Sequence, residues 1–342
     1  MPANLTPEYK QAEQAYRLAR QPREQLECLK EMLRVIPKHK GTEHLQADIK
    51  SRIRELTQAS AGHGKAAHRG PAHAVHPEGA AQLCLIGPPG AGKSSLHARL
   101  TGSGSEVGPY PHPTQFPVPA MLPFDDIAFQ LVDLPPVSVE FMQPGLTDIV
   151  RATDGVLLVV DLSAPDCTEQ LALILQRLAE AKIILSERWP GQADSPGATA
   201  EAAADPFSVH LPALLLANKT DLANPEDAAV LEDLLGVRFP ALATSATDGR
   251  GLAEVGPFLF TALGIVRVYT KAPGKPVDQR RPFTMRRGDT VLDVALQVHP
   301  DLARTFKFAR LWGSGKFSGQ QVGADHPVAD RDVVELHSQA HG

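Results

Sequence analysis

The stretch Gly87 to Ser94 reads GPPGAGKS, a complete match to the spacing G-x-x-x-x-G-K-[S/T]. This spacing constrains the fold strongly, because its chemistry needs a strand before the loop and a helix after it. Both are supplied: the apolar run Leu83 to Ile86 predicts a strand, and Lys93 to Leu100 predicts a helix. Gly87, Gly90 and Gly92 let the loop Gly87-Pro88-Pro89-Gly90-Ala91-Gly92 wrap closely, so that its amide N–H groups face phosphate oxygens. Lys93 then sets a cation against the β- and γ-phosphates. Ser94 offers a hydroxyl to Mg²⁺, and Ser95 follows it into the first helical turn.

The pattern around this loop alternates short apolar runs with longer helical ones. Ile127 to Val132 predicts a strand, and so does the continuous apolar run Gly155 to Val160, followed by a helix through Ile174 to Leu185. Ala213 to Ala217 predicts another buried strand, Pro225 to Leu235 a helix, Ala241-Leu242 a short strand, and Leu252 to Leu263 a closing helix. Apolar strands alternating with helices imply an α/β domain over 81–264, with a mostly parallel sheet covered on both faces. Residues 187–211, rich in Ala, Pro and Gly, read as a surface insertion.

A second motif selects the base. Asn218-Lys219-Thr220-Asp221 follows a strand, and carboxyl ends of strands are where such sheets bind ligands. Asp221 can accept two hydrogen bonds from guanine N1 and N2, which adenine cannot offer. Asn218 can bond the base edge and pin the loop, and the Lys219 stem can lie across the base. Ser245-Ala246 ends the next strand, where a backbone N–H meets guanine O6. Asp133 ends the strand begun at Ile127 and suits Mg²⁺ held through water. The expected ligands are therefore GTP or GDP with Mg²⁺, and an ATP-using alternative is disfavoured by the second motif.

The flanks differ from this middle. Residues 1–58 predict a helical N-terminal domain, with Leu26, Leu29, Met32, Leu33 and Ile36 recurring at spacings of three and four. Residues 59–80 have the composition of a flexible linker, too mobile a frame for His63, His68, His73 and His76 to hold a metal. Residues 265–342 predict two strands, a helix from Thr290 to Val298 and two later strands, an order that fits a ubiquitin-like β-grasp domain. There Phe306, Phe308 and Trp312 interleave with Lys307, Arg310 and Lys316; the preferred reading buries the aromatics, and the alternative is single-stranded RNA. The net charge is +3 over 1–58 and +4 over 265–342, against −13 over 81–264. RNA contact is thus expected from the ends. Three scattered cysteines, Cys28, Cys84 and Cys167, fit a reducing cytoplasm, and no run approaches the ~20 apolar residues of a membrane span.

The order of these motifs resembles the Obg-related GTPases, specifically the developmentally regulated GTP-binding (DRG) branch with a C-terminal TGS domain. Tyr110 to Pro117, YPHPTQFP, is similar to that group's switch I signature and matches it at Tyr110, Pro111, Thr114 and Pro117. Asp133 to Pro136, DLPP, is similar to its switch II motif; Ile265 to Asp278 and Phe306 to Leu336 are similar to its TGS domain. The resemblance implies a P-loop GTPase domain and gives Lys93 and Thr114 a part in catalysis, with Thr114 joining Ser94 and Asp133 at Mg²⁺. It also implies a slow GTPase associated with ribosome or RNA, with a protein partner allowed. Three departures stand out. Pro136 replaces the switch II glycine whose N–H bonds the γ-phosphate; Val137 stands where other GTPases carry a catalytic glutamine; and Gly90 replaces the asparagine of potassium-activated relatives. Two readings follow: a slow Mg²⁺-dependent GTPase, or a nucleotide-bound adaptor with an impaired switch II.

Overall fold

A computed structural model describes residues 6–19, 22–37, 42–61, 75–103, 114–137, 145–192, 207–223, 238–277 and 281–338. The expected helix Pro225 to Leu235, Tyr110 and Pro111, most of the linker with His63, His68 and His73, and most of the insertion lie outside these residues. The chain divides into two compact units, residues 1–72 with 199–207, and residues 73–198 with 208–342.

Among the described residues the first unit holds three helices, α1 (Pro7–Leu18), α2 (Pro22–Val35) and α3 (Glu43–Ala61). Thr6 caps α1 by accepting the Tyr9 N–H at 3.2 Å, with Pro7 in the first turn where its missing donor costs nothing. Leu29, Met32 and Ile36, spaced by three and four, are buried together with Tyr9 of α1 and Ile49 of α3. The Phe207 ring joins them, edge-on to Tyr16.

The second unit carries two sheets. The larger has the strands β1 (Gln82–Ile86), β2 (Val118–Phe124), β3 (Ile127–Asp133), β4 (Gly155–Asp161), β5 (Ile183–Ser186), β6 (Val209–Asn218) and β7 (Ala241–Ala243), in the order β2-β3-β1-β4-β6-β5, with β7 also on β6. All pairs are parallel except β2–β3. The helices α4 (Lys93–Thr101), α5 (Leu146–Ala152), α6 (Cys167–Glu180) and α7 (Leu252–Ala262) alternate with these strands. Every residue of β1 is buried, as a strand covered on both faces requires.

Two elements depart from the sequence reading. The helix after β4 ends at Glu180, not Leu185; Lys182 sits in the left-handed region at φ 58°, and Ile183 to Ser186 leave as a strand parallel to the start of β6. β2, not foreseen, is an edge strand, which explains how it carries Pro119 and Pro123. Trp189, at the start of the expected insertion, is only 2% exposed and donates its indole N–H to the Ala213 carbonyl.

The smaller sheet has β8 (Ile265–Lys271), β9 (Phe283–Arg286), β10 (Phe306–Trp312), β11 (Gln320–Val322) and β12 (Asp332–Ser338) in the order β11-β10-β12-β8-β9, with β8 and β12 parallel. α8 (Val291–Val298) and the short α9 (Pro300–Arg304) lie between β9 and β10. Asp293 accepts from both the N–H and the hydroxyl of Thr290 at 2.8 Å, fixing the start of α8. The aromatics of β10 do not share one face. Register shifts between Phe306 and Phe308, so Phe306 leans on the core with Ala309 and Leu311, while Phe308 stacks on His337 at 4.4 Å and the Lys271 ammonium lies 4.2 Å from the Trp312 ring.

Arg267 of β8 ties the two sheets. Its side chain, 5% exposed, pairs with Asp330 in the turn before β12 and with Asp125 and Asp126 at the β2–β3 turn. Arg286 reaches Asp154 at 3.1 Å beside β4.

Candidate functional site

The loop after β1 and the ends of β3, β4, β6 and β7 converge at the carboxyl edge of the larger sheet, where a doubly wound fold binds its ligand. Gly90 and Gly92 have φ of 78° and 89°, a conformation that favours glycine. A methyl group on Gly92 would also meet the Asn218 amide nitrogen at 2.3 Å. The Lys93 ammonium donates to the carbonyls of Gly87 and Pro88 at 3.0 and 2.9 Å. Burial pushes its pKa down to about 8, partly opposed by the Asp133 carboxylate.

Ser94, Thr114 and Asp133 come together from α4, the segment preceding β2 and the end of β3. Asp133 Oδ2 accepts from Ser94 Oγ at 2.6 Å and from Thr114 Oγ1 at 3.1 Å, and the two hydroxyls are 2.9 Å apart. The other carboxylate oxygen, Oδ1, is buried and has no hydrogen-bond partner. One orphaned carboxylate oxygen beside two hydroxyls makes an all-oxygen cradle, which fits a hard cation such as Mg²⁺. Among the described residues no cluster of three His, Cys, Asp or Glu side chains could hold a metal.

The second motif is built as one network. Asn218, 1% exposed, donates to the Ala91 carbonyl at 2.8 Å and accepts from the Ala246 N–H at 3.3 Å, so it links the first loop to the Ser245-Ala246 loop. Ser245 donates to Asp221 Oδ1 at 2.7 Å and accepts from the N–H groups of Thr247 and Asp248, both at 3.2 Å. Lys219, at φ 64°, pairs with Asp161 at 2.6 Å. Burial pushes the Asp161 carboxyl up, but hydrogen bonds from Lys219 and Ser163 hold it below its ordinary value. A cavity of about 750 Å³ opens here, lined by Gly92, Ser95, Asn218, Lys219, Asp221 and Ala246 among others.

Sequence reasoning missed two members of this site. Asp161 has a local signal, a charged residue at the carboxyl end of an apolar parallel strand. Arg99 has none: its guanidinium bonds the carbonyls of Ala246 and Thr247, 147 and 148 residues away. Pro136 is half-buried, and the next residue, Val137, is 1% exposed with its N–H donated to the Gly87 carbonyl at 3.2 Å.

Residues 82–187 match the family of 50S ribosome-binding GTPases, and residues 266–338 match the TGS domain. A GTP-binding protein of Methanocaldococcus jannaschii is 28% identical over 92% of this chain and 92% of its own length. Developmentally-regulated G-protein 3 of Arabidopsis thaliana is 26% identical over 87% of this chain and 94% of its own, and human developmentally-regulated GTP-binding protein 2 is 24% identical over the same shares. Loop, base motif and sheet order together define a P-loop GTPase fold. Residues 82–187 thus carry a GTPase domain of the ribosome-binding family and residues 266–338 a TGS domain, and the chain is similar over most of its length to developmentally-regulated GTP-binding proteins. No helix among the described residues is long and apolar enough to cross a membrane.

Proposed function

We propose that the protein is a slow, Mg²⁺-dependent GTPase that binds ribosome or RNA through residues 1–58 and 265–342 in the cytoplasm. The observation that carries the chemistry is the meeting of Ser94, Thr114 and Asp133 beside the phosphate loop. Ser94 and Thr114 would hold Mg²⁺ directly and Asp133 through water; the ion, when bound, supplies charge neutralisation at the β- and γ-phosphates. Gly87, Pro88, Pro89, Gly90, Ala91 and Gly92 form the phosphate loop with Lys93, Ser94 and Ser95. Asn218, Lys219, Asp221, Ser245 and Ala246 take the guanine. The basic ends, +3 and +4 against −13 over 81–264, support contact with a nucleic-acid backbone through the ends.

Slowness follows from Val137. It occupies the place of a water-orienting glutamine and its apolar side chain is buried in the same core as Leu134, Leu146 and Ile149, so it offers an attacking water nothing. Single-turnover hydrolysis with Mg²⁺ tests this. Phosphate release on the order of 10⁻⁴ to 10⁻² s⁻¹ is expected, and none in the absence of Mg²⁺. A second reading, a nucleotide-bound adaptor, is favoured by the Pro136-Val137 arrangement, and release undetectable over a day would select it.

A further inference from the structure

We propose that Arg99 is a positioning residue for guanine recognition: from α4 it holds the Ser245–Thr247 loop so that the Ala246 N–H meets the purine O6. This rests on the guanine reading of Asp221 and Ser245-Ala246 given above.

Arg99 lies in the last turn of α4, where a cation ordinarily serves the helix's own terminal carbonyls. Here the guanidinium leaves its helix. Its Nε donates to the Ala246 carbonyl at 2.9 Å, and its Nη2 to the Thr247 carbonyl at 2.8 Å. Two successive carbonyls on one planar fork fix the orientation of the peptide between them, which a single-point donor does not.

The loop does not need Arg99 for its own shape. The Ser245 hydroxyl already gathers the N–H groups of Thr247 and Asp248, and the Ser245 carbonyl accepts from the Gly249 N–H at 3.0 Å. What Arg99 sets is the place of that loop relative to α4. The phosphate loop opens α4 and Arg99 closes it, so one rigid helix spaces the phosphate cradle from the base-reading amide. Asn218 makes the same link from the inner side, through Ala91 and Ala246. Its bond to the Ala246 N–H is long, 3.3 Å, and therefore weak enough for a purine carbonyl to share that donor. Arg99 and Thr247 line the same cavity as Asp221.

The test compares GDP with 6-thioguanosine diphosphate, which keeps the N1 and N2 donors read by Asp221 but replaces O6 with a weak acceptor. Dissociation constants are measured on the full chain for native protein, Arg99→Ala and Arg99→Lys, with thermal unfolding as a check on fold. Native protein prefers GDP to the thio analogue. In Arg99→Ala, GDP affinity falls about fivefold to tenfold, thio-analogue affinity falls less than twofold, and the preference shrinks accordingly. Arg99→Lys keeps the charge without the fork and lies between the two. Should the alanine variant unfold, the lysine variant gives the same comparison at reduced amplitude. A parallel loss for both nucleotides, or no loss for GDP, overturns the proposal. A native protein that binds ADP as well as GDP overturns the guanine reading itself and the role of Arg99 with it.

Discussion

The main-chain N–H of Val137 donates to the carbonyl oxygen of Gly87 across 3.2 Å, fastening the start of switch II to the phosphate loop. The preceding residue, Pro136, has no N–H to give. Neither residue is thus placed to donate to a γ-phosphate, and on the proposed reading discrimination between GTP and GDP falls on Thr114 and Mg²⁺. A ligand shifts a conformational equilibrium only by its differential affinity for the two states. Native protein is expected to bind a GTP analogue and GDP within about tenfold, a gap of about 1.4 kcal/mol. Pro136→Gly supplies an amide and widens that gap in favour of the analogue. Paired dissociation constants at saturating Mg²⁺ check this, with thermal unfolding as a control for the loosened segment. A hundredfold native preference for the analogue would contradict it.

Lys93 is the cation of the proposed phosphate cradle. It is 6% exposed and held by two loop carbonyls, which keeps it over the loop before any phosphate arrives. Lys93→Ala removes that charge and is expected to weaken GDP binding by a hundredfold or more, since charged hydrogen bonds contribute about 1.5–3 kcal/mol each. Unchanged affinity by calorimetry would show that the loop is not a working cradle.

Gly92→Ala tests how tightly the phosphate and base motifs are joined. The new methyl group meets the Asn218 side-chain nitrogen at 2.3 Å, and the backbone stands at φ 89°. Asn218 must move, taking with it the Ala91 and Ala246 contacts. The expected result is at least a tenfold loss of GDP affinity, about 1.4 kcal/mol. Native-like affinity would mean that the two loops are mechanically independent.

Arg267 governs acid stability. Burial pushes the carboxyls of Asp126 and Asp330 up, but hydrogen bonds from Arg267, and for Asp126 also from Tyr269, hold both below their ordinary values. Such depressed carboxyls contribute stability that is present above the unfolded value of about 4 and lost as pH falls through the folded values. Arg267→Ala leaves Asp126 and Asp330 without their cation. A cost of about 2–4 kcal/mol is expected, below that of a fully buried pair because the acids are partly exposed. Native protein should therefore lose more of its melting temperature than the variant does between pH 7 and pH 3. Parallel loss in the two proteins would remove the network from the account.

The phosphate and guanine motifs were legible in the sequence because their chemistry needs contiguous residues of fixed type. Asp133 and Thr114 were legible only through their place beside those motifs, and the structure brings both to Ser94. β5 was not legible, since Ile183 to Ser186 continue an apolar helical run without a break; only Lys182, in the left-handed region, marks the end. β2 was hidden by prolines, which an edge strand tolerates. The separation of Phe306, turned to the core, from Phe308 and Trp312 depends on a register shift between strands, a pairing property invisible along one strand. Arg99 depends on a contact with no local signal at all.

Base selection at Asp221 is the claim on which the rest stands. Ser245 already occupies Asp221 Oδ1 at 2.7 Å, which orients the carboxylate from behind. Two charge-assisted bonds to guanine N1 and N2 contribute about 1.5–3 kcal/mol each, so Asp221→Ala should lose at least about a hundredfold in GDP affinity. Asp221→Asn should shift preference toward xanthine nucleotides, because donor and acceptor roles invert at that edge. The most direct measurement is calorimetric titration of native and Asp221→Asn proteins with GDP, XDP and ADP. A native preference for GDP that passes to XDP in the variant is the predicted result; equal native affinity for GDP and ADP would contradict it.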